Sequence, residues 1–260
     1  MKYLPFLCVV MLPFLGLASD NLKIGTPGCC DQVIDRVGYA LGYVEKYEQA
    51  AWVQYHFTRA ENQKKEHKRG EEFFPDPEIV TGSATLEDYK HPYYDCGHMA
   101  PAADMQFSEV AMRESFYLSN MSPQHREMNA GIWADIEKFV RYTVNVEKEV
   151  YVITGPIFGE KPRTIGPSHV AIPEAYYKII YDVTPPQKMI AFIVPNRRSN
   201  QPIHTFVTTV DEVEKRTGLD FFTALPKEQT DILESKVDVK AWKRLDNWYR
   251  ENLRLPWETK

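Results

Sequence analysis

Between residues 129 and 142 the apolar side chains of Ile132, Trp133, Ile136, Phe139 and Val140 recur at helical spacing and fall on one stripe. A helix of this kind needs an apolar layer to lie on. The chain supplies one, because 150–154, 176–183 and 189–194 are β-rich runs parted by loops of glycine and proline. Residues 51–58 alternate well enough for a further strand, and 33–43 carry glycines and aromatics with no helical period, so a pair of strands is expected to open the folded region. Shorter elements are a helix over 108–113 with Ser108 as its N-cap, a buried strand over 116–120, and a helix over 208–217 closed by Gly218. Helices and strands are grouped more than they alternate. That predicts an α+β fold, a central antiparallel or mixed sheet flanked by helices, and disfavours a doubly wound parallel one. With 43% hydrophobic and 13% aromatic residues in a chain of 260, one large core suffices, and 19–260 is expected to form a single domain.

The first eighteen residues differ from the rest. Lys2 gives a positive start, 3–17 is an apolar run broken by Pro5 and Pro13, and it ends in Gly16-Leu17-Ala18, a small-x-small cleavage pattern. The run is shorter than the roughly 20 residues a spanning helix needs, so a removed signal peptide is expected and no membrane anchor. A secreted or periplasmic location follows as an expectation. The net charge of -5 gives no global attraction for a polyanion, so any nucleic-acid binding has to come from a local basic cleft. Loss of Cys8 would leave Cys29, Cys30 and Cys96, and the sequence does not choose between a strained Cys29–Cys30 ring and a bond from either to Cys96. Neither a Cys-x-x-Cys pair nor a His-Glu-x-x-His run occurs, which argues against a structural or proteolytic zinc site.

Chemistry concentrates between Asp95 and Arg141. Asp95-Cys96-Gly97-His98 reads as a short turn after Tyr93-Tyr94, with Gly97 taking a backbone angle that aims His98. On a straight helix Asn129 and Glu137 would stand about 80° apart and roughly 12 Å along the axis. One of them can then touch a metal ion directly while the other acts through water. Arg141 follows Glu137 at the i+4 spacing of an ion pair. Upstream, the charged stretch 61–69 leads into Phe73-Phe74-Pro75-Asp76-Pro77, a loop by its prolines, and this sets Lys64, Lys65, Lys68 and Arg69 on an exposed connection.

The run Asp95-Cys96-Gly97-His98-Met99-Ala100-Pro101-Ala102-Ala103-Asp104-Met105 resembles the signature of the DNA/RNA non-specific endonucleases of the ββα-metal class, which include endonuclease G and secreted bacterial nucleases. Ser115 to Gln124, Asn129-Ala130-Gly131-Ile132-Trp133, Ile136-Glu137, Tyr151 to Pro156 and Thr217 to Phe222 extend the likeness over nearly the whole chain after residue 18. The resemblance implies a ββα-metal fold and Mg2+-dependent cleavage of DNA and RNA, with Mn2+ as a substitute ion, leaving 5′-phosphate and 3′-hydroxyl ends. It implies His98 as general base, Asn129 as the one direct protein ligand of the metal, and Glu137 as a holder of metal-bound water. Arg141 would contact the phosphate or steady Glu137, and Arg69 is the nearest match to a phosphate-binding arginine before the Phe-x-x-Asp-Pro loop. Members often pair, so a homodimer is an expectation. The departure is Cys96, where the family carries arginine; Arg69, Arg126 or Arg141 would have to supply the missing charge. The alternative is a slower enzyme, or a member that binds nucleic acid without cutting it.

Overall fold

The computed structural model describes residues 19–28, 30–243 and 245, so the expected signal peptide and Cys29 lie outside the described residues. Strand β1 (Gln32–Asp35) turns back at residues 36–39 into β2 (Ala40–Val44), which pairs in turn with the long β3 (Gln49–Thr58). Thr58 stops that strand and starts a helix. Its hydroxyl accepts from the Glu61 amide while the Glu61 carboxylate accepts from the Thr58 amide, a reciprocal cap that opens α1 (Arg59–Gln63). The charged connection expected over 61–69 is therefore helical in its first residues and irregular only after Gln63.

The next segment holds the largest differences from expectation. Residues 95–98 form no turn: they belong to strand β4 (Tyr94–His98), which pairs antiparallel with β5 (Met121–His125) in a two-stranded sheet of its own. Between these strands lies α2 (Glu109–Glu114), capped by Ser108 as expected. The strand expected over 116–120 is displaced, because Leu118–Asn120 form a 3₁₀ turn and pairing begins only at Met121. Hydrophobicity alone does not separate a buried turn from a buried strand. The single helix expected over 129–142 is also broken. A short α3 (Arg126–Met128) runs into a wide π turn (Asn129–Trp133), and α4 (Ala134–Glu147) continues from there. Gly131 has φ -102° and ψ -110°, so the helical ruler between Asn129 and Glu137 does not apply.

Beyond α4 come β6 (Glu149–Ile157), the small hairpin β7 (Thr164–Ile165) with β8 (Val170–Ala171), then β9 (Ala175–Asp182) and β10 (Lys188–Pro195). The short β11 (Val207–Thr208) and helices α5 (Val210–Thr217) and α6 (Lys227–Leu233) follow, with Gly218 closing α5 at φ 73°. The main sheet has the order β1-β2-β3-β6-β9-β10-β11 with every pairing antiparallel, so the architecture is α+β.

Two apolar layers follow from the alternation of side chains across this sheet. On one face Tyr55, Phe57, Val152, Tyr176, Ile180 and Phe192 receive Ile136, Phe139, Val140 and Val144 of α4. On the other, Trp52, Ile153, Tyr177, Ile179 and Tyr181 meet Val210 and Val213 of α5, together with Phe221 and Phe222. Burying each large α4 side chain is worth about 1.5–3 kcal/mol, and that sum, more than helix propensity, holds α4 in place. Strand β9 is buried on both faces, which is why it reads as a continuous run. Lys178 stands in the middle of it at 0% exposure, on the α4 face with Tyr176 and Ile180.

The proline-flanked loop is pinned to the sheet. Arg36 Nη2 donates to both oxygens of Asp76 at 2.6 and 2.7 Å, the Ser119 hydroxyl also donates to Asp76, and Phe74 forms an isolated bridge to Tyr117. This brings residues 69–74 alongside α2 and the turn before β5.

Candidate active site

His98 ends β4 at 8% exposure, its ring edge-on to Phe116 with centroids 5.0 Å apart and tilted against Phe73 at 5.7 Å. Its Nε2 is buried and has no hydrogen-bond partner. Burial, then the nearby Arg69 guanidinium, holds the imidazole down to about 3, so it is neutral at physiological pH. The segment after it is fixed by Asn120, whose Oδ1 accepts from the Ala100 amide while Nδ2 donates to the carbonyls of Ala100 and Ser115. Gly97 takes no left-handed conformation. It is required because a Cβ there would stand 2.2 Å from the buried Gln124 side chain across the β4–β5 pair.

Asp95 ties this strand to the π turn. Its Oδ2 accepts from Asn129 Nδ2 at 3.3 Å and its Oδ1 from Arg126 Nε at 3.0 Å. With the amide nitrogen engaged, the Asn129 side-chain oxygen is left as an acceptor for another group, in the amide orientation assigned from this network. Arg126 is 61% exposed, a surface cation one contact away from Asn129.

Glu137 lies in the first turn of α4, half-buried, and no described residue bonds it directly. Burial pushes its carboxyl up to about 7, opposed by Lys178 and Arg141. Lys178 donates from Nζ to Thr154 Oγ1 at 2.6 Å and sits 4.9 Å over the Trp133 ring; burial brings it down to about 8. The i+4 ion pair expected between Glu137 and Arg141 is not made. Arg141 instead donates to Asp104 Oδ1 at 2.8 Å, and Asp104 also accepts from the Tyr55 hydroxyl at 2.7 Å. A fully buried carboxylate outcompetes a half-buried one for the guanidinium, since it has no water to replace the bond. Arg69 acts electrostatically on both His98 and Glu137 and lies 5.3 Å over the Phe116 ring.

His98, Glu137, Arg69 and Arg141 therefore share one electrostatic neighbourhood, with Asn129 joined to it through Asp95. The oxygen donors of Asn129 and Glu137, an amide oxygen left unengaged and a carboxylate without a hydrogen-bond partner among the described residues, are of the kind that suits a hard divalent ion. Cys96 is half-buried with a free thiol beside Tyr89 and Asp95, in the apolar cluster that contains Leu118 and Met121; burial pushes it up to about 12. It is neither a thiolate nor a disulfide partner, so the bond weighed to Cys30 is not made, while Cys29 lies outside the described residues. Asp95 and Asp104 stand in the run that the sequence singles out without a role of their own, and Lys178 and Phe116 are not expected at the site from sequence. A lysine inside an apolar β run was the signal for Lys178, whereas nothing local distinguishes Asp104 from an ordinary turn residue.

Residues 17–228 match the family model of the DNA/RNA non-specific endonucleases. A nuclease of Syncephalastrum racemosum is 34% identical over 246 residues, covering 85% of this chain and 76% of that protein. The mitochondrial nuclease 1 of Schizosaccharomyces pombe is 36% identical over 198 residues, covering 68% of this chain and 61% of its own length. A chain from a crystal structure of an EndoG/EndoGI complex superposes with a TM-score of 0.74 at 31% identity, over 80% of this chain and 92% of that one. The expected secreted or periplasmic location is overturned by these relatives: the fission-yeast nuclease, and matching nucleases of budding yeast, zebrafish and human, are mitochondrial by name. An apolar start with a positive residue is shared by more than one targeting signal, and Gly16-Leu17-Ala18 does not discriminate. Among the described residues no helix is long and apolar enough to cross a membrane. On the family match and these relatives together, the chain belongs to the DNA/RNA non-specific endonuclease family.

Proposed function

We propose that this chain hydrolyses phosphodiester bonds of both DNA and RNA with Mg2+, using His98 as the general base. The observation that carries this is the buried, unpartnered Nε2 of a neutral imidazole beside Arg69. A neutral ring has a lone pair with which to take the proton of an attacking water, and the flanking Phe73 and Phe116 keep it in one orientation. At about 3 the imidazole is a weak base in the resting protein. A phosphodiester drawn to Arg69 brings negative charge beside the ring and raises its proton affinity at the moment it is needed. Asn129 and Glu137 would hold the ion, Asn129 oriented by Asp95. When bound, Mg2+ supplies positive charge at the phosphate and the leaving oxygen.

Arg69, Arg126 and Arg141 compensate for Cys96. Arg69 is exposed and stacked on Phe116, Arg126 is exposed on Asp95, and Arg141 keeps 22% of its side chain open to solvent above Asp104. None of these groups reads a base edge, so cleavage is insensitive to sequence and to sugar. The mitochondrion, to which the relatives' names point, is the compartment in which we expect the activity.

The test is nicking of supercoiled plasmid and degradation of RNA by the purified protein, with Mg2+ and then with excess EDTA. Both substrates should be cut with Mg2+ and neither with EDTA. His98→Ala should lower the rate at least 10²-fold, the usual worth of a general base, with the melting temperature kept. Full nucleic-acid binding with no strand loss in the wild type would show instead a member that has lost catalysis at Cys96.

A further inference from the structure

The face of the main sheet opposite α4 carries an acidic group that the nuclease site does not use. Carboxylate oxygens of Asp211 and Glu214, one turn apart on α5, and of Glu234, at the C-terminus of α6, all lie within 4.8 Å of one another. Glu234 is only 7% exposed, and its Oε1 is buried without a hydrogen-bond partner. Among the described residues none of the three is in an ion pair. Lys227, the cation that lowers Glu214, is committed to Asp231 at 2.7 Å, while Lys215 pairs with Glu212 and Arg216 with Glu174. Asp220 and Asp231 add further negative charge around Glu234.

We propose that Asp211, Glu214 and Glu234 form a second divalent-cation site, of the Ca2+ class, that clamps α6 onto α5. Three carboxylates with no nitrogen or sulfur donor select a hard ion, and a flexible shell completed by water suits Ca2+ better than Mg2+. The exposed Asp211 provides the way in, and Glu234 is the inner wall. Its supports are already placed: the Glu234 carbonyl accepts from the Asp211 amide at 3.2 Å, and Glu214 Oε1 from the Phe221 amide at 2.8 Å. Burial, and then the crowding of negative charge, push Glu234 up to about 8, a state a cation would relieve. An affinity in the range of about 10⁻⁴–10⁻³ M is expected for a site with one solvent-facing ligand.

The experiment is thermal unfolding of the full chain at pH 7.5 in EDTA and in millimolar CaCl2, for wild type, Asn129→Ala and Glu234→Gln. Ca2+ should raise the midpoint by about 1–6 °C in both wild type and Asn129→Ala, which lacks the proposed nuclease ligand. Glu234→Gln should gain nothing from Ca2+ and cut plasmid at the wild-type rate with Mg2+. A Ca2+ response that is lost in Asn129→Ala and kept in Glu234→Gln would put the ion at the nuclease site and overturn the proposal. So would a wild type whose midpoint does not respond to Ca2+, since the cluster would then be held by a proton alone. If Glu234→Gln does not fold, Asp211→Asn on the exposed rim replaces it with the same two readings.

Discussion

Replacing Asp104 by asparagine removes one charge from the centre of the network that positions Arg141, and the outcome can be sized in advance. The Asp104 side chain is 0% exposed and accepts at 2.8 Å from Arg141 and at 2.7 Å from Tyr55. Removing one partner of a fully buried pair costs about 3–5 kcal/mol. Arg141 keeps 22% of its side chain in solvent, so water recovers part of that, and we expect about 2–3 kcal/mol. For a domain of this size the loss corresponds to a fall in melting temperature of roughly 5–10 °C. The chemical effect goes further, because a guanidinium without Asp104 is left with Glu137, the other carboxylate that acts on it electrostatically. Glu137 is then occupied, and the Mg2+ needed for half-maximal plasmid nicking should rise about tenfold. The assay is a melt without metal followed by nicking across a Mg2+ titration. A variant that melts within 1 °C of wild type, or that loses rate with an unchanged Mg2+ requirement, would refute the placement of Arg141 between the two carboxylates.

Stability against pH should show two opposed slopes. His98 is held down to about 3, so its contribution is complete above the unfolded value near 6.5 and is lost as pH falls; Glu137 is raised to about 7, so its contribution is complete below about 4.5 and is lost as pH rises. Between about pH 4.5 and 6.5 the two cancel, each near 1.4 kcal/mol per pH unit at most. Glu137→Gln leaves only the first, so urea unfolding should give a variant that loses about 1–2 kcal/mol more than wild type between pH 6.5 and 5; identical profiles would sink the assignment. Cys96→Arg should raise kcat/KM less than tenfold, because three arginines already surround the site, and a hundredfold gain would show that they do not compensate. Gly97→Ala drives a methyl group to 2.2 Å from Gln124 and should cost about 1–3 kcal/mol in denaturant melts while slowing cleavage through His98.

Much of the fold is legible in the sequence. The strands over 51–58, 150–154, 176–183 and 189–194, the cap at Ser108 and the stop at Gly218 rest on local chemistry, and each appears within a few residues of its expected place. His98, Asn129, Glu137, Arg69 and Arg141 also come from sequence, and share one region of the fold. What was not legible depends on long-range competition. The Arg141 partner is 37 positions away and won by burial, not by spacing. The pairing of β4 with β5 turns an apparent loop into a strand, because Cys96 faces Pro123 and Gly97 faces Ser122 across a ladder that no period in 95–98 announces. Lys178 broke the apolar pattern of its strand, but only the position of Trp133 and Thr154 explains how a charge is tolerated there.

The break at Gly131 carries a last consequence. Within an unbroken helix two residues eight apart are locked to one rigid rod, and any tilt of the rod moves both. Here Asn129 travels with β4 through Asp95, while Glu137 travels with α4 and the sheet beneath it. The separation between them is thus an adjustable aperture with two independent mounts. An ion held by both would tie the two mounts to each other, so hydrogen exchange of the amides on either side of Gly131 should slow when Mg2+ is added.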